Sequence, residues 1–169
     1  MITIAAYKGI SVFSRLICWF NRSPYSHISV VDTNYAALIY NGREIEAWRG
    51  MVQESRPPYV AHKAGTQVDL FDVDLTAEQC ADVLSFLGRQ IGKDYDWMGI
   101  LHFVTRRSEY TVDQDKWFCS ELVAAAFAQA GKPLLERIPA YKVYPGMLVT
   151  SPHLTHRCTF TVPARKAAR

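Results

Sequence analysis

Apolar side chains recur at a spacing of three and four residues in several stretches of the chain, a pattern typical of amphipathic helices. The first stretch covers residues 10–20 and ends shortly before a proline. The second covers residues 77–90 and follows Thr76, which resembles an N-cap residue. Further helical patterns cover residues 97–104 and 118–130, so the sequence predicts four helices.

Short segments that are rich in β-branched residues, or that alternate between apolar and polar side chains, predict strands. The predicted strands cover residues 27–31, 37–40, 44–48, 68–73, 141–149 and 157–162. The first three are expected to be adjacent and antiparallel, with a hairpin around Asn41-Gly42. Strands early, helices in the middle and strands late predict a single α+β domain over residues 1–169, with an antiparallel sheet packed against helices.

The composition is that of an ordinary globular protein. The 169 residues are 49% hydrophobic and 21% charged, and the net charge of only +3 argues against nucleic acid as a partner. No apolar run approaches the roughly 18 residues of a membrane span, and the N-terminus lacks the pattern of a secretory signal. A cytoplasmic location is expected, unless another route delivers the chain to the cell wall, and the four scattered cysteines are expected to be reduced.

Cys119 lies in the first turn of the predicted helix over residues 118–130, directly after a polar loop. The unpaired N–H groups and partial positive charge of a helix N-terminus stabilise a thiolate and lower the pKa of a cysteine. Cys119 is therefore the candidate nucleophile. Cys18, Cys80 and Cys158 are interpreted as small structural residues.

A cysteine nucleophile needs a general base, and the base needs a group that orients its ring. His27 begins a predicted strand, from which its side chain can project into a cleft, and Glu46 lies in a strand expected beside it. These two residues are the candidate base and orienting group, although each also has an ordinary structural interpretation. The other histidines are His62 in a predicted loop, His102 in a predicted helix, and His153 and His156 in a terminal turn.

Three residues near the C-terminus, His153, His156 and Cys158, have side chains suited to zinc. They lie in a proline-flanked stretch without a fourth ligand, so a zinc site is not expected there. The chain also lacks a glycine-rich phosphate loop and the HExxH and GxSxG motifs. No metal ion or organic cofactor is therefore predicted.

Four segments, taken in their order, resemble the circularly permuted NlpC/P60 group of papain-like cysteine hydrolases. They are SHISVV at 26–31, IEA at 45–47, IGKDYD at 91–96 and WFCSELV at 117–123. The FCSELV element is the most specific, and the resemblance extends over most of the chain. The ordinary NlpC/P60 order is cysteine before histidine, whereas here the order is histidine, glutamate, cysteine. A circular permutation accounts for this, because a catalytic site is defined by geometry and not by chain order.

The resemblance implies a permuted papain-like fold with a catalytic triad of Cys119, His27 and Glu46. It also places Tyr95 where the family's tyrosine faces the active site. The Tyr95 hydroxyl is then expected to join the Cys119 backbone N–H in stabilising an oxyanion. The implied reaction is attack of the sulfur on a carbonyl carbon, followed by hydrolysis of the resulting thioester.

The same resemblance favours an amide bond in a cell-wall peptide or an acyl-amino compound as the substrate. Two other interpretations stay open from the sequence. A related permuted group, similar to lecithin:retinol acyltransferases, moves fatty acyl chains with the same cysteine and histidine, and a catalytically idle binding or structural protein can keep the same fold. An amidase releases a free acid, whereas an acyltransferase passes the acyl group to an alcohol or an amine.

Overall fold

The computed structural model describes residues 2–33, 42–97 and 115–164, which form a mixed eight-stranded sheet with helices. The strands are β1 (Ile2–Lys8), β2 (His27–Asp32), β3 (Arg43–Trp48), β4 (Met51–Ser55), β5 (Gln67–Val73), β6 (Asp94–Tyr95), β7 (Lys116–Trp117) and β8 (Leu154–Thr161). The helices are α1 (Val12–Asn21), α2 (Ala77–Gln90), α3 (Cys119–Gln129) and the one-turn α4 (Pro145–Leu148), with a 3₁₀ turn at Ala140–Lys142. The predicted α+β class is confirmed for this part of the chain.

The sheet has the order β7-β6-β4-β3-β2-β1-β5-β8, and its neighbouring strands are antiparallel except for β6 and β7. β2 pairs with β1 along its whole length, from His27 to Asp32. It pairs with β3 only from Val30 onwards, where Val30 lies opposite Ile45. The beginning of β2, at His27, therefore lies beyond the end of the β2–β3 pairing.

The two faces of the central strands differ in chemistry. One face is apolar and packs against α2 and α3, with Ile28 and Ile45 from the sheet meeting Leu87 and Leu122 from the helices. Because side chains alternate along a strand, the residues between these apolar positions lie on the opposite face. That face is also buried, and it holds a polar cluster of Tyr7, His27, Ser29, Glu44 and Glu46. A second apolar cluster lies beside it and includes Ala5, Val31 and Leu70.

The predicted helix bounds agree with the structure where a capping interaction between neighbouring residues fixes the start of the helix. α2 follows Thr76 as predicted, and Thr76 and Gln79 form a capping box. α1 also forms, but its apolar stripe is partly exposed in the described structure, with Phe13 42% and Leu16 49% exposed. None of the described helices has the length and apolar character needed to cross a membrane.

The strand predictions need corrections of two kinds, one for a strand that does not form and one for strands that were missed. Residues 141–149 do not form a strand but contain part of the 3₁₀ turn and α4. Pro145 stands at the start of α4, where its missing N–H and fixed φ favour a helical turn. β1, β4 and the two-residue strands β6 and β7 were not predicted. β1 escapes the alternation rule because it is almost wholly buried on both faces.

The predicted hairpin is only partly testable, because residues 37–40 lie outside the described residues. Residues 98–104 of the helix predicted over residues 97–104 also lie outside them. The hairpin that the structure shows joins β3 to β4. Its two turn residues, Arg49 and Gly50, have φ values of 52° and 106°. Positive φ at both positions is typical of the tight turns that join antiparallel strands.

Candidate active site

His27 and Glu46 are in direct contact on the polar face of β2 and β3. His27 Nε2 lies 2.7 Å from Glu46 Oε2, and both side chains are almost fully buried. The other carboxylate oxygen, Oε1, accepts a hydrogen bond from Gln53 Nε2 at 3.1 Å. Burial alone raises the pKa of Glu46, but hydrogen bonds from His27 and His62 outweigh it and hold the pKa well below its usual range. Glu46 is therefore ionised at neutral pH.

A second imidazole, that of His62, contacts the same carboxylate oxygen. His62 Nε2 lies 2.9 Å from Glu46 Oε2, and only 4% of the His62 side chain is exposed. The His62 ring stacks on the Tyr7 ring with 3.8 Å between the centroids. The loop between β4 and β5 thus folds over the polar face. No spacing rule links His62 to Glu46, so the sequence carried no signal for this contact.

Glu44 lies beside this cluster and accepts three hydrogen bonds. The donors are the Tyr7 hydroxyl, the Ser29 hydroxyl at 2.6 Å and the backbone N–H of Tyr59 at 2.6 Å. Burial, followed by repulsion from Glu46, raises the pKa of Glu44 to about 7. The pKa values of these two carboxyl groups are therefore shifted in opposite directions. Glu46 is ionised at neutral pH, whereas Glu44 titrates near pH 7.

The protonation state of His27 follows from its surroundings. Burial lowers the pKa of His27, and the Glu46 carboxylate offsets only part of this effect, so the ring is neutral at pH 7. Because Glu46 is ionised, the contact at Nε2 requires the proton of the neutral ring to be on that nitrogen. Nδ1 then carries the lone pair. It is buried, and it has no hydrogen-bond partner among the described residues.

Cys119 is the first residue of α3 and is only 4% exposed. Burial raises the pKa of its thiol to about 11, and the backbone amides of Ile28 and Ser120 offset only part of the rise. The lowered pKa predicted from the helix N-terminus is therefore wrong for this resting structure, because desolvation is the larger effect. Ile28 directly follows His27, so the thiol lies close to the main chain beside the candidate base.

Tyr95, in β6, is buried, and its ring packs against the Trp97 ring with 4.7 Å between centroids. Burial raises the pKa of Tyr95 well above its usual value, and the charges of Cys119, Asp96 and Glu46 raise it further. The phenol is therefore protonated and can act as a hydrogen-bond donor. Its electrostatic interaction with Cys119 and Glu46 shows that it lies in their neighbourhood.

A cavity of about 630 Å³ adjoins this site through His62. Arg49 and Lys63 contribute two cationic side chains to its wall, and Pro58 and Val162 contribute apolar ones. The cavity is large enough for a small organic ligand, and its wall combines apolar surface with positive charge.

Three residues of the site carry side chains of the types that bind metal ions. One ligand atom from each of His27, Glu46 and His62 lies within 4.8 Å of the others. Two imidazoles and a carboxylate are ligands that zinc accepts in proteins. The terminal residues His156 and Cys158, by contrast, lie on β8 and belong to no comparable cluster within residues 2–33, 42–97 and 115–164.

The fold has a counterpart among solved structures. A crystal structure of the metalloprotein YiiX from Escherichia coli O157:H7 matches with a TM-score of 0.70, covering 92% of this chain and 94% of that one. The two sequences are 19% identical. At this level of identity the match establishes a shared fold.

No family model matches the chain. Among curated proteins it is 27% identical to a protein named "Probable lipoprotein peptidase YaeF" from Escherichia coli (strain K12). The alignment covers 75% of this chain and 54% of the relative, so the chain spans about half the length of that relative.

Proposed function

We propose that the chain is a hydrolase of the cysteine peptidase or amidase type, with Cys119 as nucleophile, His27 as base and Glu46 as the group that orients the base. The observation that carries the proposal is the state of His27. Its Nε2 is bound to a buried carboxylate, and its Nδ1 is a buried lone pair without a partner in the described structure. A histidine needs this arrangement before it can accept a proton. YaeF, a partial relative, carries the name of a peptidase.

The position of Cys119 supports its role as the proton donor to His27. Nδ1 is the ring nitrogen closer to the main chain, and the thiol lies by the amide of Ile28, the next residue. The β2–β3 pairing ends at Val30 and Ile45, which leaves the beginning of β2 open to the N-terminus of α3. These features support direct proton transfer from Sγ to Nδ1.

The resting thiol and imidazole are both neutral, because the pKa of Cys119 is raised to about 11 and that of His27 is lowered. The proton therefore moves to Nδ1 as the sulfur attacks the carbonyl carbon, and no thiolate is needed beforehand. A C–S bond forms, and the carbonyl π electrons move to the oxygen. The imidazolium, stabilised by Glu46, then protonates the leaving amine as the C–N bond breaks. Water finally hydrolyses the thioester.

The oxyanion in this mechanism is met by the backbone N–H of Cys119 and by the Tyr95 hydroxyl. Tyr95 suits this role because its raised pKa keeps the hydroxyl protonated at neutral pH. One such donor contributes about 3 kcal/mol to stabilisation of the transition state. The permuted NlpC/P60 resemblance supports this assignment.

The proposed substrate is an amide bond in a peptide or acyl-amino compound, with a cell-wall peptide favoured by the same resemblance. YiiX, which shares the fold, is described as a metalloprotein. In this chain His27, Glu46 and His62 would hold an ion, and a bound ion would supply Lewis-acid polarisation of a carbonyl. The cysteine mechanism uses no ion. An ion coordinated by His27 would occupy Nε2, the nitrogen through which His27 binds Glu46.

The proposal is tested by incubating the purified protein with peptidoglycan fragments, N-acyl amino acids and acyl lipids, and by identifying the products by mass spectrometry. We expect a free acid from the wild type and a loss of more than about 10⁴-fold in turnover for Cys119→Ala. The matched control is Cys158→Ala on β8, which removes another free thiol and should retain activity. Acyl transfer to an alcohol or amine would indicate an acyltransferase instead. Unchanged turnover of Cys119→Ala would contradict the proposal.

A further inference from the structure

The two imidazoles on Glu46 form an unusual arrangement, because both Nε2 atoms point at one carboxylate oxygen. The distances to Glu46 Oε2 are 2.7 Å from His27 and 2.9 Å from His62. A single oriented histidine is sufficient for the proposed cysteine mechanism. The second imidazole therefore has no role in that mechanism beyond holding Glu46.

The geometry of these three ligand atoms is close to that of a zinc site. Zinc binds nitrogen and oxygen at about 2.0–2.2 Å, which places the ligands of a tetrahedral ion roughly 3.3–3.6 Å apart. The observed contacts are 2.7 Å and 2.9 Å, so these two separations have to widen by roughly 0.4–0.9 Å to admit an ion. All three side chains are nearly or fully buried, with exposed fractions of 0–4%.

The surroundings of the cluster resemble the supporting layer of a metal site. Gln53 fixes the second oxygen of Glu46, and the Tyr7 ring stacks on His62. The Glu44 carboxyl group lies 3.8 Å from His62 Nε2 and offers a further oxygen. Groups that hold ligands in place in this manner strengthen metal binding about 10- to 100-fold.

We propose that His27, Glu46 and His62 bind a zinc-like divalent ion, and that this ion inhibits the cysteine enzyme. Coordination takes the lone pair of His27 Nε2, so the ring proton moves to Nδ1 and no proton is lost overall. Nδ1 then becomes a donor and cannot accept the proton of Cys119. The inhibition rests on the proposed function, whereas ion binding does not.

The test begins with the full chain after dialysis against a chelator. Binding of Co²⁺ is followed by its visible absorption, and binding of Zn²⁺ by calorimetry. We expect one ion per chain, with affinity at least about 10-fold weaker in His62→Ala and in Gln53→Ala. Cys119→Ala should bind as the wild type does. The matched control is His156→Ala, which removes an exposed histidine on β8 and should leave binding unchanged.

Gln53→Ala guards against loss of folding in His62→Ala, and a melting curve of each variant accompanies the titration. Wild-type affinity in folded His62→Ala and Gln53→Ala, or loss of the ion in His156→Ala, would overturn the site. The inhibition is tested by kinetics. Zn²⁺ should lower wild-type turnover at the concentrations that saturate the site, and a chelator should restore the turnover. Turnover that rises with Zn²⁺ would overturn the inhibition while leaving the binding site intact, and would favour a metal-assisted hydrolase. Absence of turnover in the chelator-treated, metal-free protein, together with normal Zn²⁺ binding, would count against the proposed function alone.

Discussion

The two faces of strands β1–β3 are both buried, but only one of them carries a cluster of buried polar side chains beside its apolar ones. The face towards α2 and α3 is filled by aliphatic side chains such as Ile28, Ile45 and Leu122. The opposite face holds two carboxyl groups and two imidazoles, joined by hydrogen bonds. Apolar burial stabilises a fold, whereas buried charge contributes little net stability even when it is paired. The comparison predicts that the apolar side chains provide most of the stability and that the polar cluster serves the proposed chemistry.

The largest expected effect lies on the polar face and concerns activity. Glu46→Gln keeps the shape of the side chain but removes the charge that stabilises the imidazolium, so turnover should fall by about 10²- to 10⁴-fold. The loss should be smaller than that of Cys119→Ala, because Glu46 forms no bond to the substrate. Steady-state kinetics of the two variants give the ratio. Equal losses together with a lowered melting temperature would mean that Glu46 holds the fold, and would remove the contrast between the faces.

The next effect lies on the apolar face and concerns stability. Leu87→Ala, in α2, empties a fully buried position and should lower the free energy of unfolding by about 2–5 kcal/mol. Turnover per folded molecule should stay the same, because α2 carries none of the proposed catalytic residues. Leu84→Ala, at a partly buried position of the same helix, is the control and should cost less. Urea unfolding measures both, and equal costs would contradict the assignment of Leu87 to the core.

A smaller effect is expected in the pH dependence of stability. The pKa of Glu44 is raised to about 7 by burial and by Glu46, from an ordinary value of 4.5. A raised carboxyl pKa contributes stability that is fully present below pH 4.5 and is lost as the pH rises through about 7. Glu44→Gln should therefore flatten the decline in melting temperature between these two pH values.

The wild type and the variant must be compared directly, because burial also raises the pKa of Glu121 to about 8 and adds a decline of its own. Glu46 acts in a different window, since its lowered pKa contributes stability that is lost only below pH 4.5. If wild type and Glu44→Gln show the same slope between pH 4.5 and 7, the titration of Glu44 does not affect folding.

The smallest expected effect is on thiol reactivity. With a pKa of about 11, only about one part in 10⁴ of Cys119 is ionised at pH 7, so iodoacetamide should modify it slowly, and the rate should climb towards pH 11. His27→Ala should change the rate at pH 6 very little. Peptide mapping after brief exposure, with partly exposed Cys158 as the internal comparison, measures this. Rapid labelling of Cys119 at pH 6 that is lost in His27→Ala would show a resting thiolate–imidazolium pair.

The contrast between the faces also explains which parts of the structure were predictable. Local signals located α2, because Thr76 and Gln79 cap it without help from the rest of the chain. β1 was missed because a strand buried on both faces has no alternation to detect. A strand was wrongly predicted over residues 141–149, because the prediction relied on the apolar composition of this segment. It did not take into account Pro145, which favours the start of a helical turn.

The site residues that lie on strands could be predicted, because side chains alternate between the two faces of a strand. His27 and Glu46 were chosen from their strands, and Ser29 and Glu44 lie two residues from them on the same face, so the alternation rule reaches these two as well. His62 is different, since a loop brings it to Glu46 and no local pattern encodes that contact. The direction of the pKa shift of Cys119 was also predicted wrongly. The burial that raises this pKa depends on the whole fold, and no local pattern encodes it.

The central claim, that Cys119 forms a covalent acyl intermediate, is tested most directly by intact mass spectrometry of the protein quenched in acid during turnover of an activated ester of an N-acyl amino acid. Such an ester acylates the nucleophile without requiring the natural leaving group. The account predicts a mass increase of one acyl group, mapped by proteolysis to the peptide that contains Cys119, present in the wild type and absent from Cys119→Ala. Hydrolysis of the ester by Cys119→Ala at the wild-type rate, or an acyl group on another residue, would contradict it.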